Sequence, residues 1–337
     1  MTLRELLALA VTKGASDLHV TAGAPPTLRI AGQLHPLLLS AVSVVDTNGM
    51  IEGILSPRQQ HDLDERGEVD FALTLPEIGR FRICVFRQRA GAISVAARVL
   101  SQTPPPLEAL SLPPALTTLV LRESGLIVIT GPTGSGKSTT LAALLDYVNR
   151  HTRRRIITLE DPIEYLHEHV HCLIDQREVG TDTASFALGL RAALRQDPDV
   201  LMIGELRDQE TMATALTAAE TGHLVLATMH TGDAVQAIDR LVDAFAPSDR
   251  QPTRSQLAGV LTAVIAQSLV LGADDKTLTL LAEVLVNTSA IANLIRLDQG
   301  SQIRSAMQTG RSYGMQTMEM AYRDAVMAGR IRDSTAG

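Results

Sequence analysis

The run Gly131-Pro132-Thr133-Gly134-Ser135-Gly136-Lys137-Ser138-Thr139 constrains this chain more than any other stretch. It follows the continuous apolar segment Leu126-Ile127-Val128-Ile129-Thr130 and opens a helical pattern from Lys137 to Asn149. A buried strand is therefore expected to turn directly into a helix here. The spacing is G-x-x-x-x-G-K-[ST]. Glycines let successive backbone N–H groups curl around an anion, and the start of the helix adds the positive end of its dipole. Lys137 is placed to reach β- and γ-phosphates and Ser138 to ligate Mg²⁺, so the expected ligands are ATP and Mg²⁺.

The runs around this motif extend the same logic. Ile156 to Leu159, Val200 to Ile203 and Leu224 to Ala227 are apolar throughout, with helical segments between them. Continuous apolar strands alternating with helices predict an α/β domain with a mostly parallel central sheet covered on both faces. Each run ends in a polar residue: Glu160-Asp161, Glu205 and His230. Ligands of open parallel sheets bind at the carboxyl ends of the strands, so Lys137, Glu160, Glu205 and His230 are expected to face one crevice. A carboxylate there can orient or deprotonate the attacking water, or hold Mg²⁺ through water, and Glu205 is the choice for water activation.

Upstream, residues 101–114 hold five prolines and read as a linker, since proline continues neither a helix nor a central strand. Before it, Thr27 to Ile30, the alternating Arg80 to Phe86, and Ala92 to Leu100 predict strands of a small α+β domain with an antiparallel sheet. After about residue 285 the pattern is helical, punctuated by Gly310, Gly314 and Gly329. The expected division is 1–100, 101–114, 115–285 and 286–337.

Composition narrows the partners. The 337 residues carry a formal net charge of −7 and only 3% aromatics, which argues against nucleic-acid binding. Cys84 and Cys172 cannot form a disulfide framework or a four-cysteine zinc site. Leu257 to Leu271, the longest apolar run, is too short to span a bilayer. A cytoplasmic protein without direct membrane insertion is expected.

Two further groups of residues invite chemistry. His167-Glu168-His169-Val170-His171 would place three histidines on one face of a strand, and it is read as a surface strand with incidental histidines rather than a metal site. Arg191 and Arg195, four apart, would share a helix face leading into Asp197-Pro198-Asp199. Arg82 and Arg98 lie in the first domain. Spacing alone assigns a role to none of these four arginines.

The motifs together carry a resemblance. Ala15-Ser16-Asp17-Leu18-His19, with Pro25-Pro26 and Arg29 to Gly32, is similar to an N-terminal signature. Thr158 to Glu164 is similar to an acidic box, Asp197 to Asp208 to a Walker B segment, and Thr221 to Thr231 to a His box. Together they identify the chain as resembling the hexameric secretion ATPases of type IV pilus and type II secretion systems, most of all the pilus retraction (PilT-like) branch.

The resemblance implies a PAS-like N-terminal domain, a RecA-like motor domain and a helical C-terminal subdomain. It makes Glu205 the catalytic glutamate, Glu160 an acidic-box carboxylate near Mg²⁺ or the water, and His230 a γ-phosphate sensor. Arg82 and Arg98 would meet a nucleotide across a domain or subunit gap, and Arg191 and Arg195 would be the paired arginines before Walker B. The implied partners are five further copies of the chain in a ring of six, an inner-membrane platform protein and a paralogous pilus ATPase. Location would be cytoplasmic, peripheral at the inner membrane.

Absence of a four-cysteine zinc element favours retraction over assembly. Ala290 to Leu297 departs from the retraction branch's Ala-Ile-Arg-Asn-Leu-Ile-Arg-Glu, and Ser268 stands where that branch tends to carry arginine. An accessory retraction ATPase and an assembly or type II secretion motor are the alternatives.

Overall fold

Strand patterning separates the chain into two sheets of different character. In the computed structural model, which describes residues 1–89, 91–100 and 103–332, the first sheet holds β1 (Asp17–Thr21), β2 (Thr27–Ile30), β3 (Gln33–Pro36), β4 (Glu68–Leu75), β5 (Gly79–Gln88) and β6 (Ala92–Leu100). Its order is β3-β2-β1-β6-β5-β4 and every pairing is antiparallel. Period-two alternation sends Leu18, Val20, Phe81, Ile83, Val95 and Ala97 into a core. Helix Leu3–Thr12 adds Leu3, Leu6, Leu7 and Ala10 to that core, and Thr2 and Glu5 close its start as a capping box. The opposite face carries Asp17, Arg82 and Arg98.

The second sheet holds β7 (Gly125–Thr130), β8 (Arg155–Glu160), β9 (Leu173–Glu178), β10 (Val200–Ile203), β11 (Leu224–Met229), β12 (Leu261–Leu271) and β13 (Leu278–Val286), in the order β13-β12-β7-β11-β10-β8-β9. All its pairings are parallel except β12 with β13. Strands β7, β10 and β11 are buried at every residue, as strands covered by helices on both faces must be. Three strands of this sheet went unread in the sequence, as did β1, β3 and β4 of the first. β9 is a polar edge strand, and β12 uses the long apolar run whose first residues, 257–260, end a helix. β13 pairs with β12 as an antiparallel edge.

By contact, one unit comprises Met1–Thr103 with Pro162–Leu166, and the other Pro104–Asp161 with His167–Gly337. The helices Ser289–Arg296, Gly300–Thr309 and Met318–Met327 belong to the second unit. Ser101 and Gln102 of the expected linker, and residues 333–337 of the expected C-terminal segment, lie outside the described residues. Among the described residues no helix is long and apolar enough to cross a membrane.

Two local expectations are corrected. Residues 167–171 form a loop, not a strand. The buried Asn149 takes the place of a strand partner: its Nδ2 donates to the Glu168 carbonyl at 2.8 Å, and its Oδ1 accepts the N–H groups of Val170 and Cys172. The histidines diverge accordingly. His169 Nδ1 accepts the Ile174 N–H, while His171 Nδ1 donates to the Arg150 carbonyl. The second correction concerns Arg195, which does not share a helix face with Arg191. The helix Phe186–Ala193 ends before it, and Asp197, the residue ahead of Pro198, lies outside the right-handed helical region at φ +55°.

Candidate nucleotide site

The site grows from the carboxyl ends of the parallel strands. β7 ends at Thr130, whose hydroxyl accepts the Thr231 N–H at 2.8 Å, so the start of the glycine-rich turn is stitched to the loop after β11. Gly131 then passes where no side chain fits. A Cβ there would lie 2.4 Å from the Gln267 carbonyl oxygen and 2.6 Å from Ser135 Oγ, and its φ is +147°. Gly136, at φ +85°, caps the helix Lys137–His151, in which Arg150 and His151 complement the dipole at the far end. Gln267, 2% exposed on β12, donates Nε2 to Thr140 Oγ1 at 2.7 Å and pins the first turn of that helix.

Lys137 is buried at the turn. Its ammonium donates to the carbonyls of Gly131 at 2.8 Å and Pro132 at 2.9 Å, and faces His230 Nδ1 at 3.4 Å. Ammonium has no lone pair, so Nδ1 is the acceptor and the ring proton sits on Nε2. That Nε2 lies 3.3 Å from Glu205 Oε1. The other oxygen of Glu205 accepts from Arg207 Nε at 2.6 Å, and Arg207 Nη1 approaches Asp161 at 4.0 Å. A line of donors and acceptors thus runs Lys137, His230, Glu205, Arg207, Asp161 across four strand ends. Such a line orients a carboxylate beside a lysine able to bind phosphate.

Glu160 ends β8 and is 7% exposed. Its Oε1 accepts from Thr158 Oγ1 at 2.6 Å and from Gln176 Nε2 at 2.9 Å. Ser138 is exposed on the first helical turn. Hydroxyl and carboxylate oxygens are the hard donors that Mg²⁺ takes, so the residues present fit that ion.

The expected set is gathered in part. Lys137, His230 and Glu205 come together, and Arg207 links them to the acidic segment. Arg191 instead pairs with Glu210, and Arg195 Nη1 donates to the Arg191 carbonyl at 3.1 Å. Within the first unit, Arg82 and Arg98 are direct partners across β5 and β6. Asp70 takes Arg82, with Nε at 3.0 Å, and Asp17 takes Arg98 at 3.1 Å. Sequence reading missed Gln176, Arg207, Gln267 and the Thr130–Thr231 pair. Arg207 stood two residues after Glu205, a spacing that puts both on one face of an extended segment, and was open to notice.

The chain is similar along its length to known proteins. The family model described as type II/IV secretion system protein matches residues 1–335. The chain is 43% identical over 336 residues to the type IV pilus retractation ATPase PilT of Pseudomonas aeruginosa, covering 100% of this chain and 97% of that one. It is 46% identical over 331 residues to the protein YggR of Escherichia coli K12, covering 98% and 100%. The crystal structure of the pilus retraction motor PilT with bound ADP superposes with a TM-score of 0.92 at 41% identity, covering 100% of this chain and 99% of that one. Over residues 1–335, and so in both of its sheets, the chain belongs to the type II/IV secretion system protein family.

Proposed function

We propose that this chain is a subunit of an ATP-hydrolysing motor that powers pilus disassembly and retraction. The observation that carries this reading is the Lys137–His230–Glu205 arrangement at the strand ends, in a chain similar along its length to a pilus retraction ATPase.

The loop Gly131-Pro132-Thr133-Gly134-Ser135-Gly136-Lys137-Ser138-Thr139 is assigned to the phosphates of ATP through its backbone N–H groups, to which Pro132, having none, contributes only the shape of the turn. Lys137 turns from its two carbonyl partners to the β- and γ-phosphates. Glu205 takes a proton from the attacking water, and His230, released by Lys137, registers the γ-phosphate. Ser138 and Glu160 would hold Mg²⁺, Glu160 directly or through water, and the ion would supply positive charge to neutralise the phosphates. Arg82 and Arg98 are assigned to the nucleotide of a neighbouring subunit, and Arg191 and Arg195 to the segment ahead of Glu205.

The assembly is a homohexamer at the cytoplasmic face of the inner membrane. It works on a platform protein of the pilus machine, with a paralogous ATPase as a candidate partner. The first unit is read as PAS-like, residues 115–285 as RecA-like and 286–337 as the helical subdomain. A deletion strain tests the direction of work. Excess surface pili with lost twitching is expected, and absent pili would contradict retraction.

A further inference from the structure

Five residues after the acidic carboxylates, Pro162–Leu166, belong to the first unit, while Asp161 and His167 on either side belong to the second. One side chain closes the base of this excursion. Gln176, on β9, donates Nε2 to Glu160 Oε1 at 2.9 Å and accepts the His167 N–H on its Oε1 at 2.8 Å. A single amide therefore holds Glu160, one residue before the chain departs, and His167, where it returns.

The far part of the loop is held by Arg80. This arginine is only 8% exposed; its Nε donates to the Ile163 carbonyl at 2.9 Å and its Nη1 to Thr74 Oγ1 at 2.7 Å. Thr74 is its direct partner across β4 and β5, and Ile163 is itself buried. Burying a guanidinium is costly unless its donors are met. Here a donor is met by a main-chain carbonyl 83 residues away. A side chain that only had to fill the start of β5 would need no charge.

We propose that Arg80 is a positioning residue for the acidic segment. By holding the Ile163 carbonyl it keeps the loop under fixed length beyond the Gln176 clasp, so Glu160 and Asp161 stay in place at the end of β8. The inference rests on the ATPase reading given above, and Arg80 acts through Ile163 rather than on the reacting groups.

The test is Arg80→Gln in the full chain, because glutamine is too short to span Thr74 and Ile163 together. Without nucleotide, amide exchange across residues 160–166 is expected to quicken by about ten-fold or more, while the helix Lys137–His151 and β1 to β6 keep their protection. In turnover, the Mg²⁺ concentration giving half the maximal rate is expected to rise by roughly five- to ten-fold, with KM for ATP at saturating Mg²⁺ unchanged. Arg80→Lys, which keeps one donor for Ile163, recovers part of both effects. Unchanged exchange in the loop overturns the tether. Faster exchange with an unchanged Mg²⁺ requirement overturns the positioning role, and loss of protection throughout the first sheet reduces Arg80 to a fold element. A wild-type protein without turnover at any Mg²⁺ concentration counts against the ATPase reading, and the exchange measurement still judges the tether.

Discussion

His230 stands between Lys137 and Glu205 so that its Nε2 faces Glu205 Oε1 at 3.3 Å, while its Nδ1 takes the lysine ammonium at 3.4 Å. The lysine proposed to grip phosphate and the carboxylate proposed to meet water are thereby joined through one imidazole. Movement of Lys137 toward a nucleotide frees Nδ1 and changes what His230 offers Glu205. Lys137→Ala removes the phosphate-binding charge and is expected to weaken ATP binding by about 10- to 100-fold, read by calorimetry. Unchanged affinity would contradict the role given to Lys137.

His230→Ala separates the two ends of this line. Nucleotide affinity is expected to stay within about three-fold of wild type, while turnover falls by roughly 10- to 100-fold. An equal loss in both would show that the imidazole serves binding rather than the step after it.

Arg82 and Arg98 lie side by side on one sheet face, each held by its own aspartate. Like charges facing one another across a strand pair cost stability, which suits residues kept for an anionic ligand. If they serve a neighbouring subunit, rings mixed from Arg82→Ala and Glu205→Ala chains contain interfaces with both groups intact. Such mixtures are expected to recover turnover that neither variant shows alone. No recovery at any mixing ratio would place Arg82 with the nucleotide of its own subunit.

Burial lowers the pKa of His167 from its ordinary 6.5 to about 4, with the Asp146 charge opposing weakly. The folded state therefore keeps this ring neutral where the unfolded chain would protonate it. Stability is full above about pH 6.5 and is lost as pH falls toward 4, by roughly 1–3 kcal/mol from this residue. His167→Leu is expected to flatten that part of the stability–pH curve in urea unfolding. A curve as steep as wild type would contradict the burial.

Legibility in the sequence followed how locally each feature is determined. The turn from β7 into Lys137–His151, and the polar residues ending β8 and β11, are consequences of contiguous residues. They sit where the apolar runs put them. β9 was invisible because Leu173-Ile174-Asp175-Gln176-Arg177-Glu178 is an edge strand with little apolar content. Gln176 was missed with it, although it holds Glu160. The loop at 167–171 mimicked strand alternation, and only the distant Asn149 side chain reveals why it is not one. Arg80 carried no signal at all, since its partner Ile163 is remote in sequence.

The most direct test of the account is steady-state ATPase activity of the purified chain and of Glu205→Ala, with particle mass followed by light scattering with and without ATP. The account predicts Mg²⁺-dependent turnover by a six-subunit particle, reduced by about 10²- to 10⁴-fold in Glu205→Ala while that variant still binds ATP. Undiminished turnover in Glu205→Ala, or a folded ring that binds ATP and never hydrolyses it, would contradict it.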